Sequence, residues 1–169
     1  NECYEYSGGY DKQSRGGSLY FVISSDGGIR DCTFEQSKTK TAGGAIFVEF
    51  RKEGQKMAKD LVLENAFRIE NCSFTDCESD NEGGAVSCGI VDREGAIFDG
   101  DMLVENSSFV NCRSKRGGAL YFQDGTVKGD EDKVIKNCTF IRCFASGEDG
   151  EGYAVSCLAY HFEITSCHF

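Results

Sequence analysis

Residues 69–77 read Ile69-Glu70-Asn71-Cys72-Ser73-Phe74-Thr75-Asp76-Cys77, and residues 83–88 read Gly83-Gly84-Ala85-Val86-Ser87-Cys88. The first half follows a pattern of an aliphatic residue, a spacer, a small polar residue, Cys or Ser, a spacer and Phe. Its copies are Ile29–Phe34, Ile69–Phe74, Val104–Phe109, Ile135–Phe140 and Ile164–Phe169. The glycine half recurs at Gly16, Gly43, Gly83, Gly117 and, in altered form, Gly152. The Phe residues lie 40, 35, 31 and 29 residues apart, and a constant unit with variable connectors predicts a solenoid.

Residue spacing within the unit predicts the path of each coil. After each Gly pair, alternation of side chains puts the first and third columns in the core and the second column outside. Ile69 and Phe74 are an odd number of residues apart, and a straight strand would place them on opposite faces. We therefore predict a bend at Asn71 and its equivalents, a second corner between Phe74 and Cys77, and a third at the Gly pair. The equivalents of Asn71 are Asp31, Asn106, Asn137 and Ser166. Three short strands per coil, stacked in parallel, make an all-β parallel β-helix of about five coils.

The whole chain is predicted to form one domain. Residues 1–15 fit the repeat poorly and are interpreted as an N-terminal cap or partial coil, whereas residues 16–169 form a single repeat domain that ends within a repeat. With 28 acidic and 18 basic residues the net charge is −10, which argues against nucleic acid or an anionic membrane as partner. No apolar run is long enough for a membrane span. Ten cysteines favour an oxidising, extracellular or cell-surface location.

The repeats resemble those of the polymorphic membrane proteins of chlamydial autotransporters, whose marks are Gly-Gly-Ala-(Ile/Leu/Val) and Phe-x-x-Asn. The glycine motif matches at Gly43, Gly83 and Gly117. The phenylalanine motif occurs at Phe34–Ser37, Phe74–Cys77, Phe109–Cys112 and Phe140–Cys143, with Cys or Ser in place of the Asn. The resemblance covers most of residues 16–169. It implies a right-handed β-helix displayed on a cell surface, often in adhesion.

Stacked coils bring equivalent cysteines close to the separation of a disulfide. One column reads Cys32, Cys72, Ser107, Cys138 and Cys167, which predicts the bonds Cys32–Cys72 and Cys138–Cys167. The remaining cysteines favour Cys77–Cys88 and Cys143–Cys157, with Cys77–Cys112 as the alternative; the partners of Cys3 and Cys112 stay open. Reduced cysteines packed as small apolar residues are the competing interpretation.

Three further features are candidate sites. Asn71, Asn106 and Asn137 begin glycosylation sequons, although an inward ladder of Asn side chains would produce the same pattern. Outward aromatic residues at Tyr20, Phe47 and Tyr121 form a possible contact surface for sugars or partners, or simply cover the sheet. The acidic loops Asp99–Asp101, Asp130–Asp132 and Glu148–Glu151 offer carboxylates to Ca²⁺ or act as solvated turns. No other cofactor and no metal ligand set is predicted.

These features favour an extracellular structural or adhesive β-solenoid, either a filament subunit or a segment of a larger surface protein. Exposed strand edges at the ends of a stack recruit further strands, so end-to-end self-association is expected, and a cell-surface or glycan partner is the other expectation. The alternative function is a carbohydrate-active β-helix enzyme, a polysaccharide lyase or hydrolase. That chemistry needs positioned carboxylates, and no catalytic residue can be named from this sequence.

Overall fold

The computed structural model describes residues 15–23, 26–50, 66–89, 101–123, 132–147, 152–159 and 161–169. All regular secondary structure in these ranges is strand. The strands are β1 (Leu19–Ile23), β2 (Gly27–Arg30), β3 (Thr33–Glu35), β4 (Lys38–Thr39), β5 (Ile46–Phe50), β6 (Ala66–Glu70), β7 (Ser73–Thr75), β8 (Glu78–Ser79), β9 (Val86–Cys88), β10 (Asp101–Glu105), β11 (Ser108–Val110), β12 (Arg113–Ser114), β13 (Leu120–Gln123), β14 (Asp132–Lys136), β15 (Thr139–Ile141), β16 (Phe144–Ala145), β17 (Val155–Leu158) and β18 (His161–Thr165).

The strands form four parallel sheets that run along one stack of coils. Two sheets have five strands, in the orders β1-β5-β9-β13-β17 and β18-β14-β10-β6-β2. The other two have four strands, in the orders β15-β11-β7-β3 and β16-β12-β8-β4. The predicted parallel β-helix of about five coils is therefore confirmed. Each complete coil has four strands where three were expected, because the corner before Cys77 is followed by a separate two-residue strand such as β8.

The corners of each coil are marked by residues with positive φ. The predicted bend at the small polar residue is confirmed, with φ between 50° and 55° at Asp31, Asn71, Asn106, Asn137 and Ser166. A second corner has φ between 52° and 55° at Gln36, Asp76, Asn111 and Arg142. Asn and Asp adopt this left-handed conformation more readily than other non-glycine residues, because their short side chains bond locally. Asn or Asp occupies six of these nine corners, and the other three are Gln36, Arg142 and Ser166.

The Gly pair makes the third corner and requires two glycines for two reasons. The first glycine of the pair has positive φ, as in Gly83 at 58°. The second lies against backbone: a Cβ on Gly84 would be 2.0 Å from the Gly118 carbonyl oxygen and 2.5 Å from the Arg113 nitrogen. No side chain fits there, so the backbone atoms of successive coils are in direct contact at this corner.

Columns of identical or similar side chains fill the core. The rings of Phe34, Phe74, Phe109, Phe140 and Phe169 form a continuous stack with 4.9 Å between successive centroids and interplanar angles of 4° to 7°. This spacing equals the distance between hydrogen-bonded strands, about 4.8 Å, so the ring stack follows the backbone ladder. Ile46, Val86 and Leu120 form a second fully buried column in the same interior.

Candidate functional site

The end of the stack formed by residues 152–169 exposes apolar side chains that the preceding coils bury. Phe169 is 70% exposed, whereas Phe140, one coil earlier in the same column, is 3% exposed. Ile164 is 38% exposed and its column neighbour Ile135 is 2% exposed. The inner side chains of a coil are covered by the coils above and below, and the part of the chain that the structure describes covers these residues on one side only. We call Val155, Ile164 and Phe169 the terminal face.

A cavity of about 410 Å³ opens beside the terminal face. Its lining is largely apolar and includes Phe140, Tyr153, Val155, Ile164 and Phe169. Apolar patches that open to solvent in this way are typical of interaction sites in soluble proteins. The geometry is therefore suited to packing another apolar surface.

The first cysteine column lies where the sequence predicted, one coil apart at each step. The backbone nitrogen of Cys72 donates to the Ser107 hydroxyl at 3.1 Å, and that of Cys138 donates to the Cys167 sulfur at 3.4 Å. Burial raises the pKa of the Cys72 thiol, and it raises the pKa of Cys138 to about 11. The column is a buried edge of the core, in which the protonated thiol is favoured.

Cys32, Cys72, Cys138 and Cys167, the residues of the two bonds predicted within this column, are free thiols in the structure. Each sulfur donates its hydrogen to the carbonyl two residues earlier, as Cys72 does to the Glu70 oxygen at 3.2 Å. Cys32 and Cys72 are nevertheless in side-chain contact, as are Cys138 and Cys167. The column correctly identifies neighbouring thiols, and the two bonds stay predictions.

A second cysteine column contains Cys77, Cys112 and Cys143, all free thiols. Cys112 lies in the middle, and hydrogen bonds with Cys143 and Cys77, together with burial, raise its pKa. Cys77 is in contact with Cys112, the pairing named from the sequence as the alternative to Cys77–Cys88. Cys143 likewise contacts Cys112, and the pairing of Cys143 with Cys157 stays a prediction. Equivalent positions one coil apart meet, whereas positions across a corner belong to different columns.

Cys88 and Cys157 occupy the same strand column as Val48 and Phe122. Cys88 is the register partner of both Val48 and Phe122, and Phe122 pairs with Cys157. A coil with Phe122 therefore lies between the two cysteines. Cys3 falls outside the described residues.

The sequon residues Asn71, Asn106 and Asn137 lie on the exposed side of the first corner. Asn71 donates from Nδ2 to Asp31 Oδ1 at 3.1 Å, and Asn137 donates from Nδ2 to Asn106 Oδ1 at 3.3 Å. The ladder expected from the repeat is present, but on the outside of the coil, where its side chains reach solvent. Glycosylation at these three residues stays a prediction.

The outward aromatic column differs from expectation. Tyr20 is 47% exposed, but Phe47 is 4% and Tyr121 is 1% exposed, so these two are not available as a contact surface. The Arg15 guanidinium lies over the Phe47 ring at 5.2 Å, and the Tyr121 hydroxyl donates to Gln123 Oε1 at 3.1 Å. Parallel sheets are usually covered on both faces, which is why the outer side chains of this sheet are also buried.

Several sequence predictions fall outside the described residues. The N-terminal cap at residues 1–15 is described only at Arg15, and the three acidic loops only at Asp101 and in the backbone of Asp132. Within the described ranges, no group of three or more His, Cys, Asp or Glu side chains converges as a metal site. The same ranges contain no helix that is long and apolar enough to cross a membrane.

Sequence reasoning placed Ile164 and Phe169 in core columns and did not single them out as site residues. Both residues belong to the fifth copy of the repeat, and this position could have identified them as site residues. The described residues cover the inner side chains of this copy on one side only. Comparisons of the chain with protein-family models, with curated proteins and with solved structures gave no match. The resemblance to chlamydial polymorphic membrane proteins therefore stays a prediction from the motifs.

Proposed function

We propose that this protein is an extracellular, non-catalytic structural β-solenoid that assembles end to end, with the terminal face of one copy packing on the first coil of the next. The observation that carries this proposal is the gradient of exposure along one ring stack. Phe109 and Phe140 are 0% and 3% exposed, and Phe169 is 70% exposed. A further coil, from a second copy or from a longer chain that contains this segment, would bring Phe169 to the burial of its neighbours.

The first coil supports the proposal because it offers side chains of the same columns. Leu19, Phe21 and Ile29 are half-buried and pack against the core cluster. In a continued stack, Leu19 would meet Val155, and Ile29 would meet Ile164. The backbone supports it too: β17 and β18 lie at one end of the two longer sheets, and β1 and β2 lie at the opposite end. Strand edges of this kind pair with further strands, and a head-to-tail contact that does not close produces filaments.

The expected assembly depends on protein concentration. Burying a large apolar side chain contributes about 1.5–3 kcal/mol, and the terminal face contains three such residues. Association costs at least about 4 kcal/mol in lost translational and rotational freedom. Val155 and Ile164 are already partly buried before assembly, so the terminal face gains only part of this amount, and the side chains of the first coil and the new backbone hydrogen bonds are needed to offset the cost.

Sedimentation velocity over a range of concentrations tests the proposal. The wild-type chain is expected to form species larger than a monomer as concentration rises, and Ile164→Arg to remain monomeric. Ile141→Arg is the matched control, because Ile141 is 48% exposed on the flank of the coil and undergoes the same substitution. A wild type that is monomeric at every concentration contradicts the proposal. Equal loss of assembly in both variants also contradicts it, because it indicates general surface hydrophobicity.

The extracellular part of the proposal is supported by the thiol columns. Two neighbouring pairs, Cys32 with Cys72 and Cys138 with Cys167, are poised for disulfide formation in an oxidising compartment. Peptide mapping of native material under non-reducing conditions is expected to recover both linkages. Recovery of these four cysteines as thiols in freshly isolated native protein would argue for a reducing compartment instead.

A further inference from the structure

A groove of about 650 Å³ runs along the flank of the stack over β8, β12 and β16. Three basic side chains line it: Arg113 on β12, Lys115 just after that strand, and Arg142 at the second corner of the following coil. All three are exposed. In a chain of net charge −10, this is a local concentration of positive charge that attracts anions.

The acidic residues in the groove, one of which is Glu78, the register partner of Arg113, offset only part of this charge, because two carboxylates face three cations. The Glu78 carboxylate is 3.0 Å from Lys38 Nζ and is therefore already paired. Asp80 is the other carboxylate of the lining. Among the described residues, Arg113 and Arg142 form no ion pair, and the Lys115 ammonium donates to the neutral amide of Asn81 at 3.3 Å. The groove therefore has an excess of positive charge.

Arg142 is an unusual residue for its backbone position. Its φ is 52°, and the equivalent corners are occupied by Gln36, Asp76 and Asn111. Asp and Asn favour this conformation through local hydrogen bonds that arginine does not make. A long cationic side chain at a strained corner is not explained by the fold, and residues held in such conformations often serve a site.

An aromatic ring lies among the basic residues. Phe144 is 49% exposed and is the register partner of Arg113 in the β12–β16 pair. Its ring is 5.9 Å from the ring of Tyr153, which is 70% exposed. The apolar face of a sugar ring packs on such an aromatic surface, while a guanidinium donates two parallel hydrogen bonds to a carboxylate. An acidic sugar satisfies both features at once.

We propose that this groove binds an acidic polysaccharide, with uronate carboxylates accepting hydrogen bonds from Arg113 and Arg142 and a sugar ring packing on Phe144. Single-stranded nucleic acid would also stack on an aromatic residue, but it carries a phosphate at every nucleotide. Three cations on a chain of net charge −10 do not offset that charge density. The groove shares Arg142 with the cavity beside the terminal face, but Arg113, Lys115 and Phe144 lie outside that cavity, so this binding does not rest on end-to-end assembly.

Binding of fluorescently labelled hyaluronan oligosaccharides, which have one uronate in each disaccharide, tests the proposal by anisotropy. The wild type is expected to bind, with affinity falling as salt is added. The double variant Arg113→Gln with Arg142→Asn is expected to lose about tenfold or more, since each arginine supplies a charge-assisted hydrogen bond. Asparagine is the residue that Asn111 places at the same corner one coil earlier, so this variant is expected to fold. Phe144→Ser is expected to weaken binding as well.

Arg68→Gln is the matched control, because Arg68 is an exposed arginine on β6, in a different sheet, and the substitution removes the same charge. It is expected to leave the affinity unchanged, and circular dichroism shows whether each variant is folded. Equal loss in Arg68→Gln would overturn the proposal, as would equal binding of uncharged dextran. Tighter binding of single-stranded DNA than of hyaluronan, or no binding of hyaluronan by the wild type, would overturn it too.

Discussion

Replacing Phe109 by alanine removes the central ring of the five-ring stack. Its side chain is 0% exposed, and the rings of Phe74 and Phe140 lie on either side at 4.9 Å. A buried Phe→Ala change costs about 3–5 kcal/mol, and each aromatic contact contributes about 0.5–1.5 kcal/mol beyond area burial. Because Phe109 has two such contacts, we expect the free energy of unfolding to fall by about 5 kcal/mol. Phe109→Leu keeps most of the apolar volume and is expected to cost about 1–2 kcal/mol.

Phe169→Ala is the control for this prediction, since it makes the same change at the exposed end of the stack. Phe169 has one ring neighbour, Phe140 at 4.9 Å, and is 70% exposed, so its loss is expected to cost about 1 kcal/mol. Urea unfolding followed by far-ultraviolet circular dichroism, at a protein concentration low enough to prevent association, measures all three variants. Equal destabilisation at Phe109 and Phe169 would refute the reasoning, because it would mean that neither burial nor ring stacking distinguishes the two positions.

Three other changes test the corners and the cysteine column. Asn106→Ala keeps the Cβ that disfavours φ 50° but removes the side-chain amide that stabilises this conformation and accepts from Asn137 Nδ2, so it is expected to cost about 2 kcal/mol in urea unfolding. Asn106→Gly is expected to cost less, and the reverse order would contradict the role assigned to φ. Gly84→Ala is expected to prevent folding or to lower the melting temperature strongly. Gly89→Ala is the control: its Cβ would meet nothing within 4 Å, and its stability is expected to stay within about 0.5 kcal/mol of wild type. Similar melting curves for both variants would contradict the close backbone approach at Gly84. In the reduced protein the pKa of the Cys138 thiol is raised from 9.0 to about 11, so the folded state keeps this thiol protonated while the unfolded chain ionises, and stability is lost as pH rises through that window, by about 3 kcal/mol. Cys138→Ser, which copies Ser107 one coil earlier, is expected to lose correspondingly less between pH 9.0 and 11, and identical pH profiles would contradict the assignment.

The coil geometry was predictable because the same constraint is repeated in every coil. The odd separation between Ile69 and Phe74 requires a bend, and all five bend residues have positive φ. The glycine corner and the core columns follow from alternation in the same way. The fourth strand was not predictable, since a two-residue segment such as β8 has too few residues to display a period.

Burial on the outer face was not predictable from alternation. A period of two separates the two faces of a strand, but it does not tell what covers the outer one, and so Phe47 and Tyr121 were expected to be exposed. The second cysteine column was available from the sequence, because Cys77, Cys112 and Cys143 each follow a stack Phe by three residues. This equal spacing from Phe identifies the contacts of Cys112 with Cys77 and Cys143, which the sequence analysis named only in part.

The groove illustrates why a surface site is harder to read than a core. Arg113, Lys115 and Arg142 come from two successive coils, and the ring of Phe144 joins them through strand pairing. In the sequence they are a short basic cluster and an isolated arginine. Only the register of β12 against β16 brings these chemical groups to one flank.

The direction of the backbone hydrogen bonds has a mechanical consequence. In all four sheets the bonds join one coil to the next, so they lie along the axis of the stack, as the phenylalanine rings do. A tensile force on the two ends therefore loads one inter-coil ladder at a time, and coils peel off in sequence. A coil of 35 residues releases roughly 100 Å of chain when it opens. Pulled from its ends, such a protein lengthens in steps and dissipates energy at each one, whereas a load applied across the axis strains covalent backbone.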